Sequence, residues 1–242
     1  MDRDQMTRTF SIHYARVVNL SHPLHPGIPR WPGDPPVEFQ EVAHVRQHGY
    51  FLRRFCLGEH SGTHMNAPAG FQEGGASIDS YRSQSLVVPG VVMDLRAQAE
   101  ASPNCALSCQ DLQRWETEFG PVPAGSVVLL NTGWASRWDN PSRYLSRDAA
   151  GRLHFPGFGL EAARFLLDRR QVAGVGIDTH GVDGGQDDTF AVNRLVLQEP
   201  RIVLENLANL DQLPPVGATL VIGVLLLTGG SGSPASVLAL VP

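Results

Sequence analysis

A chain of 242 residues that is 42% apolar with a net charge of −5 can build a sizeable core, and it lacks the basic face that a nucleic-acid partner demands. Its longest apolar run, Leu220–Leu227, contains Gly223 and is too short to span a bilayer, so no membrane partner is expected. Three cysteines, Cys56, Cys105 and Cys109, cannot all pair; with a polar N-terminus (Met1–Thr9) that offers no apolar signal segment, they read as free thiols of a cytoplasmic protein.

From the N-terminus, Val17–Pro36 is too rich in proline to be helical, and it reads as an extended arm ending in the turn Trp31-Pro32-Gly33-Asp34-Pro35-Pro36. Val37–Val45 and Tyr50–Leu57 read as two strands of a hairpin turning at Gln47-His48-Gly49, and the second strand leads directly into His60. Val91–Leu95, Ser126–Asn131, Val172–Ile177, Ile202–Leu204 and Leu220–Leu227 read as buried strands. Ser108 with Asp111 signals a capped helix running to Phe119, and Leu160–Arg170 has apolar residues at helical spacing. Strands alternating with helices predict an α/β fold with a mixed sheet and an N-terminal β-hairpin arm. No linker or repeat divides the chain, so residues 1–242 are expected to form one domain, with 1–10 flexible.

Three segments carry chemistry. His60 and His64 flank a Ser-Gly-Thr turn; imidazoles four residues apart are either ligands for zinc, manganese or iron, or structural histidines. Asp178, His180 and Asp183 follow the strand Val172–Ile177, and side chains just past a strand's carboxyl end gather at the ligand crevice of α/β folds. They are candidates for ligands, acid/base groups or turn formers, while Asp187-Asp188 reads as a cap for the segment that follows. Glu205 directly follows Ile202-Val203-Leu204, where a carboxylate is either a surface charge or a buried ligand; physical chemistry alone favours the surface.

In order along the chain, Trp31-Pro32-Gly33-Asp34-Pro35, His60-x-Gly62-Thr63-His64-x-Asn66-Ala67-Pro68, Thr132-Gly133-Trp134, Gly176-Ile177-Asp178-Thr179, Glu205-Asn206-Leu207 and Gly232-Ser233-Pro234 resemble the blocks of the metal-dependent cyclase family. Its members include bacterial kynurenine formamidases, isatin hydrolases and trans-dienelactone hydrolases. The resemblance implies a swivelling β/β/α fold, a homo-oligomer (dimer or tetramer), and hydrolysis of amides or lactones with a bound divalent metal.

The departures bear on the metal. The resemblance would place an aspartate that bridges two metals at Asn66, a second-metal histidine at Asn193 and an acid/base histidine at Gly70. His60, His64 and Glu205 remain, and one carboxylate does not balance two divalent ions. The expectation is therefore one ion, zinc or manganese, held by His60, His64 and Glu205 with a position open for water. Asn66 would donate to an oxyanion or bind the metal weakly. His180 would supply the missing acid/base group or a further ligand, with Asp183 orienting it. Trp31, Phe55 and Phe71 are candidate walls for a flat substrate, or ordinary core residues. The same losses at Gly70 and Asn193 also motivate the alternative of a relative that binds a small molecule or a partner without catalysis.

Overall fold

The computed structural model describes residues 11–242; the expected flexibility of 1–10 lies outside the described residues. In chain order the elements are β1 (Arg16–Asn19), β2 (Glu38–Ala43), the single turn α1 (Val45–His48), β3 (Leu52–Cys56), β4 (His64–Asn66), β5 (Val87–Asp94), α2 (Arg96–Ala101), β6 (Ala106–Leu107), α3 (Cys109–Phe119), β7 (Val127–Asn131), α4 (Pro141–Leu145), β8 (Gly157–Phe158), α5 (Leu160–Arg170), β9 (Gly174–Ile177), α6 (Ala191–Val196), β10 (Ile202–Glu205), β11 (Ala218–Val224) and β12 (Gly232–Val241).

The main sheet is mixed and closes on itself. Seven strands follow each other as β12, β11, β5, β7, β9, β10 and β4, and β4 pairs back onto β12; β1 adds to the β12 edge. Strands β5, β7, β9 and β10 run parallel, and the remaining pairings are antiparallel. Closure removes the open edges of these short strands, so their backbone groups pair within the ring.

Strand β7 shows why both faces are apolar. Val127 and Leu129 point into the ring interior with Met65, Leu204, Leu220 and Val237. Val128 and Leu130 point outward against α3, α5 and α6, where Leu112, Trp115, Leu166 and Val196 cover them. The period of two divides the strand between two cores. Helix α3 starts where the sequence places it: Ser108 and Asp111 form a reciprocal capping box. Helix α5 spans the expected residues and ends on Gln171 in the left-handed region. A third cluster, including Ile28, Trp134, Tyr144 and Phe155, anchors the proline-rich arm over one end of the ring.

Several expectations need correction. Strands β2 and β3 pair antiparallel in a sheet of their own, but the connection is the helical turn α1 closed by Gly49, so the first strand stops at Ala43. Strand β9 begins two residues later than expected, at Gly174, where a Cβ would run into the Ile202 carbonyl and only glycine fits. The apolar run after Ala218 leaves the sheet at Val224, and Leu226 is 68% exposed. Strands β4 and β12 and helix α6 were not anticipated as such. Among the described residues, no helix is long and apolar enough to cross a membrane.

Candidate active site

Sheet register sets the first pair. β4 lies between β10 and β12; Glu205 is paired with His64 on one side, while Gly232 and Pro234 face Asn66 and His64 on the other. Glu205 is therefore buried, not the surface charge that its place after a strand suggests. His64 Nε2 lies 3.0 Å from Glu205 Oε2. His64 Nδ1 donates to the Gly62 carbonyl at 2.9 Å, and that carbonyl also accepts from Asn206 Nδ2. Tyr144 Oη in turn donates to Asn206 Oδ1 at 2.8 Å. Gly62 is required here, since its φ is +66° and a Cβ would strike Leu24.

With Nδ1 committed as a donor, the Nε2 lone pair of a neutral His64 would face a carboxylate. A proton or a cation must lie between them. Burial works against ionisation of Glu205, but hydrogen bonds from His64, Asn193 and the Val182 amide outweigh it and hold the carboxyl below its usual range.

A second set of bonds joins Glu205 to His60. Asn193 Nδ2 donates to Asp183 Oδ2 (2.9 Å) and Glu205 Oε1 (3.0 Å). Two carboxylates thereby fix the direction of the Asn193 amide, and its Oδ1 accepts from Asn66 Nδ2 at 3.0 Å. Asn66 Oδ1 is left facing His60 Nδ1 at 2.9 Å, which makes Nδ1 the protonated nitrogen. His60 Nε2 lies 3.0 Å from Ser231 Oγ, whose single O–H is shared between this nitrogen and Glu59. Burial, with His64 close by, lowers the His60 pKa. One N–H of the Asn66 amide is thus given to Asn193, and among the described residues the second makes no hydrogen bond, so a donor remains for the expected oxyanion role. A Cβ at Gly70 would press on the Ser231 carbonyl.

The loop after β9 also departs from expectation. Asp178 accepts from the Thr132 amide and hydroxyl and from the Trp134 amide, tying the ends of β7 and β9 together. Asp183 accepts from the Val192 amide and from Asn193, and among the described residues it makes no hydrogen bond to His180. It holds the start of α6 and the Asn193 amide instead of orienting the histidine. Burial pushes its pKa up to about 6. Asp187 accepts from Thr189 and caps the segment, as its position suggests.

His180 is 6% exposed, its Nε2 has no partner among the described residues, and the rings of Tyr144, Trp31 and Phe155 surround it. Burial, reinforced by His64, lowers its pKa to about 3. The expected proton shuttle near neutrality needs a pKa close to 7; lowered to about 3, the neutral imidazole is a poor proton acceptor.

These groups floor a cavity of about 280 Å³ whose walls include Trp31, Phe71, Phe155 and Phe190. A neighbouring cavity of about 330 Å³ shares Trp31, Asp34, His60 and His180. The Phe190 ring lies 5.8 Å from Phe71 and 6.2 Å from Trp31. Phe55 is not part of this wall: it sits on β3 in the separate sheet, 57% exposed. Phe155, Phe190, Tyr144 and Asn206 escaped the sequence reading. Asn206 had a signal in the Glu205-Asn206-Leu207 block; the aromatic residues had none.

The Cyclase family model matches residues 18–184, more than half of the chain. The chain belongs to the cyclase family. An isatin hydrolase of Roseibium aggregatum is 34% identical over 218 residues, which cover 86% of this chain and 82% of that protein. A kynurenine formamidase of Bacillus cytotoxicus is 25% identical over 218 residues, covering 90% and 93%. Among solved structures, isatin hydrolase A of Ralstonia solanacearum superposes with a TM-score of 0.87 at 35% identity, covering 94% of this chain and 92% of that one. In this cyclase-family chain the two signature histidines differ in setting: His64 meets Glu205, while both ring nitrogens of His60 are occupied by Asn66 and Ser231. Among the described residues, no three His, Cys, Asp or Glu side chains group as a metal site.

Proposed function

We propose that this chain hydrolyses a small amide or lactam with one divalent metal ion, zinc or manganese. The observation that carries the reading is the His64–Glu205 pair at 3.0 Å on the floor of an aromatic-walled cavity. Likeness to isatin hydrolases and kynurenine formamidases supports the reaction class.

The donor chemistry fits one ion and not two. A neutral nitrogen and a carboxylate oxygen about 3 Å apart suit two ligands that each lie roughly 2 Å from a common ion. Among the described residues, Glu205 is the carboxylate in contact with a signature histidine; Asp183 is turned to Asn193 and α6, and the amide at Asn66 supplies no charge. His64 and Glu205 would hold the ion, and His60 would join them only by giving up its hydrogen bond to Asn66 or to Ser231. When bound, such an ion polarises a carbonyl and lowers the pKa of a water molecule to about 7.

The chain's own residues supply the rest. Trp31, Phe71 and Phe190 take a flat ring between them. His180, held neutral, meets the substrate carbonyl with the Nε2 that has no partner among the described residues. Asn66 and Asn193 keep His60 and Glu205 in place.

Two assays test this on purified protein. Metal analysis should find close to one equivalent of zinc or manganese per chain, lost in Glu205→Gln. Isatin and an N-formylated aromatic amine should be turned over by wild type and not by His64→Ala. Metal below half an equivalent, with no turnover restored by either ion, would favour the second reading of a non-catalytic binding relative. The self-satisfied Asn66–Asn193 bridge is the observation behind that alternative. We also propose a homo-oligomer, since the β2–β3 sheet leaves Tyr50, Phe51, Leu52 and Phe55 exposed.

A further inference from the structure

Of the charged groups lining the cavity, Asp183, Asp187, Arg194 and Glu205 all bond to protein partners. Asp34 is different. Among the described residues its carboxylate makes no hydrogen bond or ion pair, although it is half-buried. It borders both lobes of the site, as His60 does.

Its position is built in. The Asp34 amide donates to the Trp31 carbonyl at 3.1 Å, closing the turn. Pro32, Pro35 and Pro36 restrict the backbone on both sides, and Pro35 packs against Gly58 at the entrance to the histidine segment. The turn that carries Trp31 to the aromatic wall therefore also carries a free carboxylate to the cavity. A half-buried carboxylate is hydrated on its open side and offers its cavity-facing lone pairs to a bound donor. Its complement is a donor. The His64–Glu205 pair and His180 address a carbonyl, and in an amide the group beside the carbonyl that donates is the N–H.

We propose that Asp34 accepts a hydrogen bond from the substrate's amide N–H, so that the site takes secondary amides or N–H lactams and rejects esters and N-alkylated analogues. This rests on the amide-hydrolase reading above. No bond forms or breaks at Asp34; it determines specificity.

The test compares isatin with N-methylisatin, which keeps the ring and both carbonyls but lacks the N–H. Wild type should prefer isatin by roughly 10- to 100-fold in kcat/KM, the range a charge-assisted hydrogen bond supplies. Asp34→Ala should bring the ratio close to one by losing isatin turnover while N-methylisatin turnover holds. Asp34→Asn, which keeps an acceptor oxygen, should fall between and serves if the alanine variant misfolds. Metal content should be unchanged in both variants. A wild-type ratio near one, an equal loss on both substrates, or a fall in metal content that tracks both losses would each overturn the assignment. If wild type neither hydrolyses isatin nor shows tryptophan quenching on its addition, the amide-hydrolase reading itself fails, and that result is distinct from an unchanged ratio.

Discussion

Asn66 and Asn193 bond to each other, Nδ2 to Oδ1 at 3.0 Å, at the two positions where the family resemblance leads one to expect an aspartate and a histidine on a second metal. The bridge links His60 to Glu205 through uncharged groups. Two amides in sequence pass on a fixed direction: the carboxylates of Asp183 and Glu205 orient Asn193, Asn193 orients Asn66, and Asn66 sets the His60 tautomer.

Asn66→Asp should expose that dependence. Without metal, the new carboxylate would face the Asn193 oxygen, which cannot turn away while its NH2 holds two carboxylates. Two buried acceptors would be left in contact. The variant should lose about 1–3 kcal/mol in urea unfolding with a chelator present. Excess zinc or manganese should recover more stability in the variant than in wild type, because the substitution adds a charged ligand. Equal stability of the two proteins in chelator would show that the bridge contributes nothing.

What could be read beforehand follows from how local each signal is. Helices α3 and α5 were legible because a capping box and a helical apolar face lie within one segment. The His64–Glu205 pair was legible only through the family resemblance, because its geometry depends on β4, a strand of three residues, closing the ring between β10 and β12. β12 starts Gly-Ser-Pro, which reads as a turn until a partner strand is known. Phe55 was misplaced for a related reason: its strand looks the same in sequence whether it joins the main sheet or stands apart. The low His180 pKa comes from burial among three aromatic rings brought in from distant segments.

Acid should unfold this protein by way of buried histidines. His180, with a pKa of about 3, and His22, at about 4, are both depressed by burial from 6.5. Between pH 6.5 and those values the unfolded chain binds more protons, so stability falls as pH falls. From pH 7.5 to 5 each histidine should cost about 2 kcal/mol. Asp183 acts in the opposite sense: its pKa is raised from 3.8 to about 6, so the folded state takes up its proton first and regains about 1.4 kcal/mol near pH 5. The net expectation is a loss of a few kcal/mol at pH 5, read by urea unfolding in metal-free buffer. His180→Gln should make the profile shallower between pH 7.5 and 5; an unchanged slope would show that His180 is not held neutral.

Phe190 separates binding from stability. Its backbone lies at φ 55° and ψ 43°, a left-handed conformation that costs a bulky residue about 1–3 kcal/mol. Glycine removes that strain along with the ring, so Phe190→Gly should stay within about 1 kcal/mol of wild type. Phe190→Ala keeps the strain and should be the less stable of the two. Both should raise KM for a flat aromatic substrate about tenfold, with a smaller effect on kcat, if the ring works as a wall beside Phe71 and Trp31. Equal KM values across the three proteins would take Phe190 out of the site.

The β2–β3 sheet tests self-association. Tyr50, Phe51, Leu52 and Phe55 are all about half exposed or more, and the side chains beside them carry both signs of charge. Glu41 lies opposite Arg53, whose guanidinium sits 4.4 Å from the Phe39 ring centre. An apolar surface flanked by both charges suits a second copy of itself better than a partner of a single charge. Light scattering should therefore give a mass that is a multiple of 26.3 kDa. Phe51→Ser with Phe55→Ser should shift the mass towards one chain while the thermal unfolding of the isolated chain is little changed, because neither ring is buried within it. A wild-type protein that remains a single chain at high concentration would overturn the expectation.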